Sequence, residues 1–284
     1  MKRFAIFKAQ FFIFFVCAGI ISFSANAQKL PKVQTVSLRA PSNIKIDGKT
    51  TEWNNQFQAY NPNNRLYYTI ANDDQNLYLL VQASDGYSSE KALFGIKFTI
   101  KLPDKKNGSV AITFPKQSDM ENTEKLRNTI STVRYLKGDT TKAVQKKIDS
   151  LQLFANSLIG ITHKEIVVEG IEAIPDPVIA MYNTDGIKVS TQFNSPMRYT
   201  YELAIPLKYL GSMINNGQKF DYNIKMLAMP EVSPNGIPNP KIEMVSFGIE
   251  ASGPGTSNAE YFGSNQGFVI IPTDLSGTYT LVKN

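Results

Sequence analysis

The residues best equipped for chemistry lie early in the chain. Asp73 and Asp74 sit inside Asn72-Asp73-Asp74-Gln75-Asn76, and Asp85 follows one strand length later. Calcium takes about six to eight oxygens, often loop carboxylates and carbonyls, and a turn of Asn and Asp offers that chemistry. The same residues are also the ordinary formers of a hairpin turn. Asp73, Asp74 and Asp85 are the metal candidates, with calcium as the cation they suit. Zinc has no comparable support, because the sequence holds one His, one Cys and no ligand-spacing motif.

Aromatic side chains form the second set. A ring face offers a pyranose apolar area and CH–π contact. Trp53 is the only tryptophan and ends the run Ile44-Lys45-Ile46-Asp47-Gly48-Lys49-Thr50-Thr51-Glu52-Trp53. It suits either sugar stacking or the closing of one end of a core. Tyr60, Tyr87 and Tyr261 stand in polar stretches outside clear alternation. These four are the ligand-binding candidates.

Catalysis finds no constellation. Glycoside hydrolysis needs two carboxylates at a fixed separation across a cleft, and Glu52, Glu165, Glu169, Glu172, Glu202 and Glu243 are scattered. Glu202 alternates with Tyr201 and Leu203, which predicts a side chain facing solvent or paired across its strand. No Gly-x-Ser-x-Gly elbow occurs. A haem would need an axial pair such as Met with His or Lys. His163 is the sole histidine, and the scattered methionines read as core filler. No catalytic residue and no enzymatic activity are expected.

The elements that must position these residues are mostly strands. Phe94, Ile96, Phe98, Ile100 and Leu102 alternate with polar residues or Gly. So do Tyr199, Tyr201, Leu203 and Ile205, and then Phe220, Tyr222, Ile224 and Met226. Alternation with period two means one packed face and one wet face, as in antiparallel sheets. Polar turns at 72–76, 104–108, 183–186 and 215–217 separate the runs. From 118 to about 160 the period shifts toward that of a helix. Leu126, Ile130 and Val133 form one stripe, Ile148, Leu151 and Leu158 another, with Gly138-Asp139 between them. The expected fold is an all-β, antiparallel, jelly-roll-like sandwich with an inserted helical hairpin. Lys137, Lys142, Lys146 and Lys147 are read as the wet side of that hairpin. Loops at 230–240 and 252–255 are rich in Pro and Gly, where binding residues often lie.

Two stretches carry a family resemblance. Ile46-Asp47-Gly48, Glu52-Trp53 and Asp73-Asp74 ahead of Leu77-Tyr78-Leu79 resemble the entry of family 9 carbohydrate-binding modules and their DOMON-like relatives. Tyr201-Glu202-Leu203-Ala204-Ile205-Pro206-Leu207 with Leu210 resembles a late strand of the same modules. The likeness covers roughly 44–102 and 199–230, and the longer helical region is similar to elaborated variants in secreted proteins of Bacteroidetes-like bacteria. It implies a β-sandwich that binds carbohydrate or another envelope polymer without catalysis. The family's clamp of two tryptophans does not carry over, since Trp53 has no second tryptophan to pair with. A structural or partner-binding envelope protein that keeps the fold without sugar binding is the alternative.

The N-terminus sets the expected compartment. Lys2, Arg3 and Lys8 precede an apolar run from Phe11 to Phe23, and Ala25-Asn26-Ala27 supplies a small-x-small cleavage pattern. Residues 1–27 read as a signal peptide and 28–284 as one domain, exported to the periplasm or beyond and not membrane-spanning. Loss of the leader removes three bases and no acid, which halves the formal net charge of +6. A nucleic-acid partner then loses its electrostatic support. Cys17 leaves as well, so the mature chain must rely on its core.

Overall fold

The computed structural model describes residues 29–103, 108–215, 217–229 and 265–283. The expected leader, Tyr261, Glu243 and the loops at 230–240 and 252–255 lie outside those residues. Among the described residues eleven strands form two sheets, and every strand pairing is antiparallel. The first sheet has the order β1-β2-β3-β9-β8. Its strands are β1 (Ala59–Asn61), β2 (Leu66–Asn72), β3 (Asn76–Ala83), β8 (Lys188–Asn194) and β9 (Arg198–Pro206). The second has the order β11-β10-β4-β5-β6-β7. It comprises β4 (Ile96–Lys101), β5 (Ser109–Phe114), β6 (Glu165–Glu169), β7 (Val178–Ala180), β10 (Phe220–Met226) and β11 (Thr273–Tyr279).

The alternating residues face each other between the sheets. Tyr68, Leu79, Val81, Tyr201 and Leu203 come from the first sheet, and Phe98, Ile112, Phe114 and Tyr222 from the second, all buried in one cluster. Tyr68 and Tyr222 meet hydroxyl to hydroxyl at 3.1 Å across the gap. Gln34 donates its backbone N–H to the Tyr68 hydroxyl, so this buried polar pair is tied to the N-terminal segment. Burial holds both phenols above the usual tyrosine range.

Helices cover one flank. Short α1 (Gly86–Ala92) follows β3 and is capped by Asp85, whose carboxylate accepts from the Ser88 N–H. Between β5 and β6 come α2 (Met120–Leu136) and α3 (Lys142–Thr162), capped by Asp119 and Thr141. Leu126, Ile130 and Val133 of α2, with Ile148 and Leu158 of α3, are buried on the expected stripes, while Lys137, Lys142, Lys146 and Lys147 are exposed. A buried pair, Arg127 to Glu90 at 2.7 Å, ties α2 to α1. Asn156 of α3 accepts from the Phe193 N–H and donates to its carbonyl. The amide thereby stands in for the missing neighbour strand along edge strand β8. Two further short helices, α4 (Gly211–Asn215) and α5 (Asn265–Ile270), precede β10 and β11. Among the described residues no helix is long and apolar enough to cross a membrane.

One expectation from alternation fails. β3 and β9 are buried on both faces, because residues 38–57 fold back over the outer side of the first sheet. Trp53, Ala71, Tyr78, Leu80 and Ala204 form a second small core there, flanked by Leu38, Ile44, Ile46 and Phe57. The unbroken apolar run Leu77 to Val81 is the sequence trace of this double burial.

Candidate functional site

The outer face of the first sheet is organised in rows across the strands. Ala71, Tyr78, Ala204 and Lys188 lie in register in one row, and Thr69, Leu80, Glu202 and Ser190 in the next. These rows pass under the N-terminal segment. The third row is Tyr60, Tyr67, Gln82, Thr200 and Gln192, directly opposite one another across all five strands. It spans roughly 19 Å at about 4.8 Å per strand. Gln192 still lies under Gly48, but over Tyr67 and Gln82 the covering segment stops and a groove of about 1060 Å³ opens.

Glu202 fixes where the cover ends. It is 1% exposed, which corrects the expectation that it faces solvent. Its Oε1 accepts from the Trp53 indole N–H at 2.8 Å. Its Oε2 accepts from the backbone N–H groups of Asp47 at 2.9 Å and Gly48 at 2.8 Å. Burial pushes the carboxyl up to about 7, against the opposing pull of these three donors. Gly48 has φ +82, and a Cβ there would lie 2.9 Å from Gln192 on β8, so glycine is required by both conformation and space. The two stretches that carry the family resemblance therefore meet at one carboxylate.

Trp53 is 6% exposed with its indole N–H engaged. As a sugar-stacking platform it is corrected: its ring closes the small outer core. The aromatic wall of the groove comes instead from Phe57 and Tyr67, both half-buried, with ring centroids 5.5 Å apart. Tyr60 stands in β1, not in a loop, and stacks on Tyr67 at 4.7 Å. The groove's base is a polar ladder: Gln82 and Asn194 both donate to the Thr200 hydroxyl, at 3.0 and 2.7 Å. The Gln82 and Asn194 amide oxygens accept no hydrogen bond among the described residues. Asn55, Gln56 and Thr51 add further polar groups, while Lys49 and Arg198 bring positive charge. No carboxylate lines the groove among the described residues.

The remaining candidates fall elsewhere. Tyr87 lies in α1 with the Arg134 guanidinium 3.9 Å over its ring, beside a separate pocket of about 260 Å³. Asp73 caps the β2–β3 turn, accepting from Gln75 N, Asn76 N and the Tyr78 hydroxyl. Asp74 pairs with Arg39 at 2.8 Å. Asp85 is at the far end of β3, about 25 Å away at 3.3 Å per residue. The three aspartates thus share no calcium site, and among the described residues no three His, Cys, Asp or Glu side chains could hold a metal ion. His163 is buried between Phe114 and Tyr199, bonded through Nδ1 to Thr191 at 3.0 Å.

Sequence reasoning passed over Tyr67 in favour of Tyr60, Tyr87 and Tyr261, and missed Gln82, Thr200 and Asn194. Tyr67 was hidden in a strand beside another tyrosine, and the other three are polar residues of ordinary strands. No local signal sets them apart, because the neighbouring row Thr69, Leu80, Glu202 and Ser190 is as polar as theirs. Fold and groove define an antiparallel β-sandwich with an aromatic-walled, amide-floored groove on one outer face. No protein-family model, curated protein or solved structure matches this chain.

Proposed function

We propose that this is an exported, non-catalytic glycan-binding β-sandwich, related to the family 9 and DOMON-like modules, whose ligand lies in the groove on the first sheet. The observation that carries the reading is that Tyr67 and Gln82, opposite each other on β2 and β3, line the groove with Asn194, while the buried Thr200 hydroxyl joins the two amides. This sets a stacking wall beside two amides. A sugar ring presents an apolar face and a rim of hydroxyls, and such a site matches both at once. The amide oxygens accept from hydroxyls, and Asn55 and Gln56 supply donors as well as acceptors.

Affinity gel electrophoresis against a panel of polysaccharides, with calcium and with chelator, tests the reading. Tyr67→Ala should abolish retardation while shifting the urea midpoint little, because the ring is half-exposed. Absence of retardation on every polysaccharide in both conditions would overturn it. A partner-binding envelope protein is the second reading, favoured by one observation. Leu153, Phe154 and Ile161 of α3 are 72%, 47% and 56% exposed, an apolar stripe on the helical flank.

A further inference from the structure

The charge of the groove is one-sided in a way that hydroxyl recognition alone does not need. Its aromatic wall is at the β1–β2 side, from Phe57 and Tyr67. Its cations are at the β8–β9 side. Arg198 stands opposite Asn194 in the β8–β9 register, and Gly48, which precedes Lys49, packs on Gln192 of β8. Lys49 is exposed and has Asp47 at 3.5 Å. The Arg198 guanidinium has no hydrogen bond or ion pair among the described residues, although it is half-buried.

Arg198 also lines the neighbouring pocket of about 260 Å³. That pocket brings Arg65, Arg134 and Lys137 to the same rim, where Arg65 has Asp85 at 3.5 Å and Arg134 has Glu90 at 3.6 Å. Lys137 and Arg198 have no ion pair among the described residues, so the groove runs from an aromatic wall to a basic rim. An unpaired guanidinium has a planar fork of N–H donors that matches a carboxylate or a sulfate in two parallel bonds. Neighbouring cations raise the local potential that draws an anion in.

Resting on the groove as the glycan site, we infer that its ligand is an acidic polysaccharide. The sugar ring stacks on Tyr67, and a carboxylate or sulfate ester is held by Arg198. Lys49 and the basic rim beyond it supply attraction without a second fixed contact. The hydroxyls of the same sugar bond the Gln82 and Asn194 amides.

Matched gels separate this inference from the reading beneath it. The exported, purified chain is run on polygalacturonate and alginate for the carboxylate arm, on dextran sulfate for the sulfate arm, and on fully methyl-esterified pectin and dextran as uncharged counterparts. Retardation should appear on at least one acidic matrix, weaken with added salt, and vanish on the uncharged counterpart. Arg198→Gln should weaken it by about tenfold, the scale of a hydrogen bond to a charged group. Lys147→Gln, which removes one charge from the distant helical hairpin, should leave it unchanged. Equal retardation on charged and uncharged matrices, or an Arg198→Gln protein that binds like its parent, overturns the acidic ligand and leaves the groove as a neutral-sugar site. Equal losses in Arg198→Gln and Lys147→Gln overturn it as unspecific charge. Retardation on none of the matrices overturns both.

Discussion

Replacing Glu202 by alanine should release the N-terminal cover from the first sheet. The carboxylate is the acceptor for three donors: the Trp53 indole, Gly48 N and Asp47 N. The first two are buried and the third partly so. A buried donor left without a partner costs about 1–3 kcal/mol, so losing this acceptor should cost about 3–5 kcal/mol in total. Trp53 is the sole tryptophan, so its emission reports on this loop alone, while far-UV circular dichroism follows the sheets. Urea unfolding at pH 7 should show the Glu202→Ala transition at a clearly lower midpoint. If only the cover is released, the Trp53 signal should move ahead of the sheet signal. Glu202→Gln should fall between the two proteins, because its amide keeps one acceptor oxygen but faces a donor with an NH2 group. An alanine variant that matches the parent in midpoint, slope and Trp53 emission would refute the reasoning: the carboxylate would then not be holding the loop.

Trp53→Phe keeps most of the ring packing but strips the donor from Glu202 Oε1, and should cost about 1–2 kcal/mol in urea unfolding. Trp53→Ala should cost about 3–5 kcal/mol by opening a cavity in the outer core, and an alanine protein as stable as its parent would contradict that burial. Two buried groups should give the stability–pH profile opposing slopes. Glu202 has a folded value of about 7 against an ordinary 4.5, so the stability it contributes is full below 4.5 and declines by about 3 kcal/mol as pH rises through 7. Burial drops His163 from 6.5 to about 3, so its contribution is full above 6.5 and is lost, by about 5 kcal/mol, as pH falls toward 3. Between 4.5 and 6.5 the two slopes oppose and nearly cancel. Unfolding free energies across pH 3 to 8 should therefore rise more steeply with pH in Glu202→Gln and fall with pH in His163→Gln. Parallel profiles for all three proteins would rule out both assignments.

Local pattern was enough for much of the architecture. Alternation at 94–102, 199–205 and 220–226 corresponds to β4, β9 and β10, and the change of period at 118 to about 160 corresponds to α2 and α3 at 120–162. The polar cluster 72–76 is the β2–β3 turn, with Asp73 as its cap. Asp47-Gly48 is a turn in which glycine is obligatory. Each of these is written in neighbours along the chain, because side-chain period and turn chemistry depend on residues a few positions apart.

The site was not legible in the same way. Glu202 reads as a wet strand position until the chain 155 residues earlier folds over it. Trp53 suits either a sugar platform or the closing of a core, and its role is decided where its indole meets that buried carboxylate. Tyr60, Tyr67, Gln82, Thr200 and Gln192 come from five strands and share no local pattern. They become one row only through strand order and register. The sequence determined that strands, a helical hairpin and an Asp-Gly turn exist. The tertiary structure decided which strands are neighbours and how far the N-terminal cover reaches, and so which polar row stays open. Those choices are made by matching faces and registers across long loops, and no period along the chain encodes them.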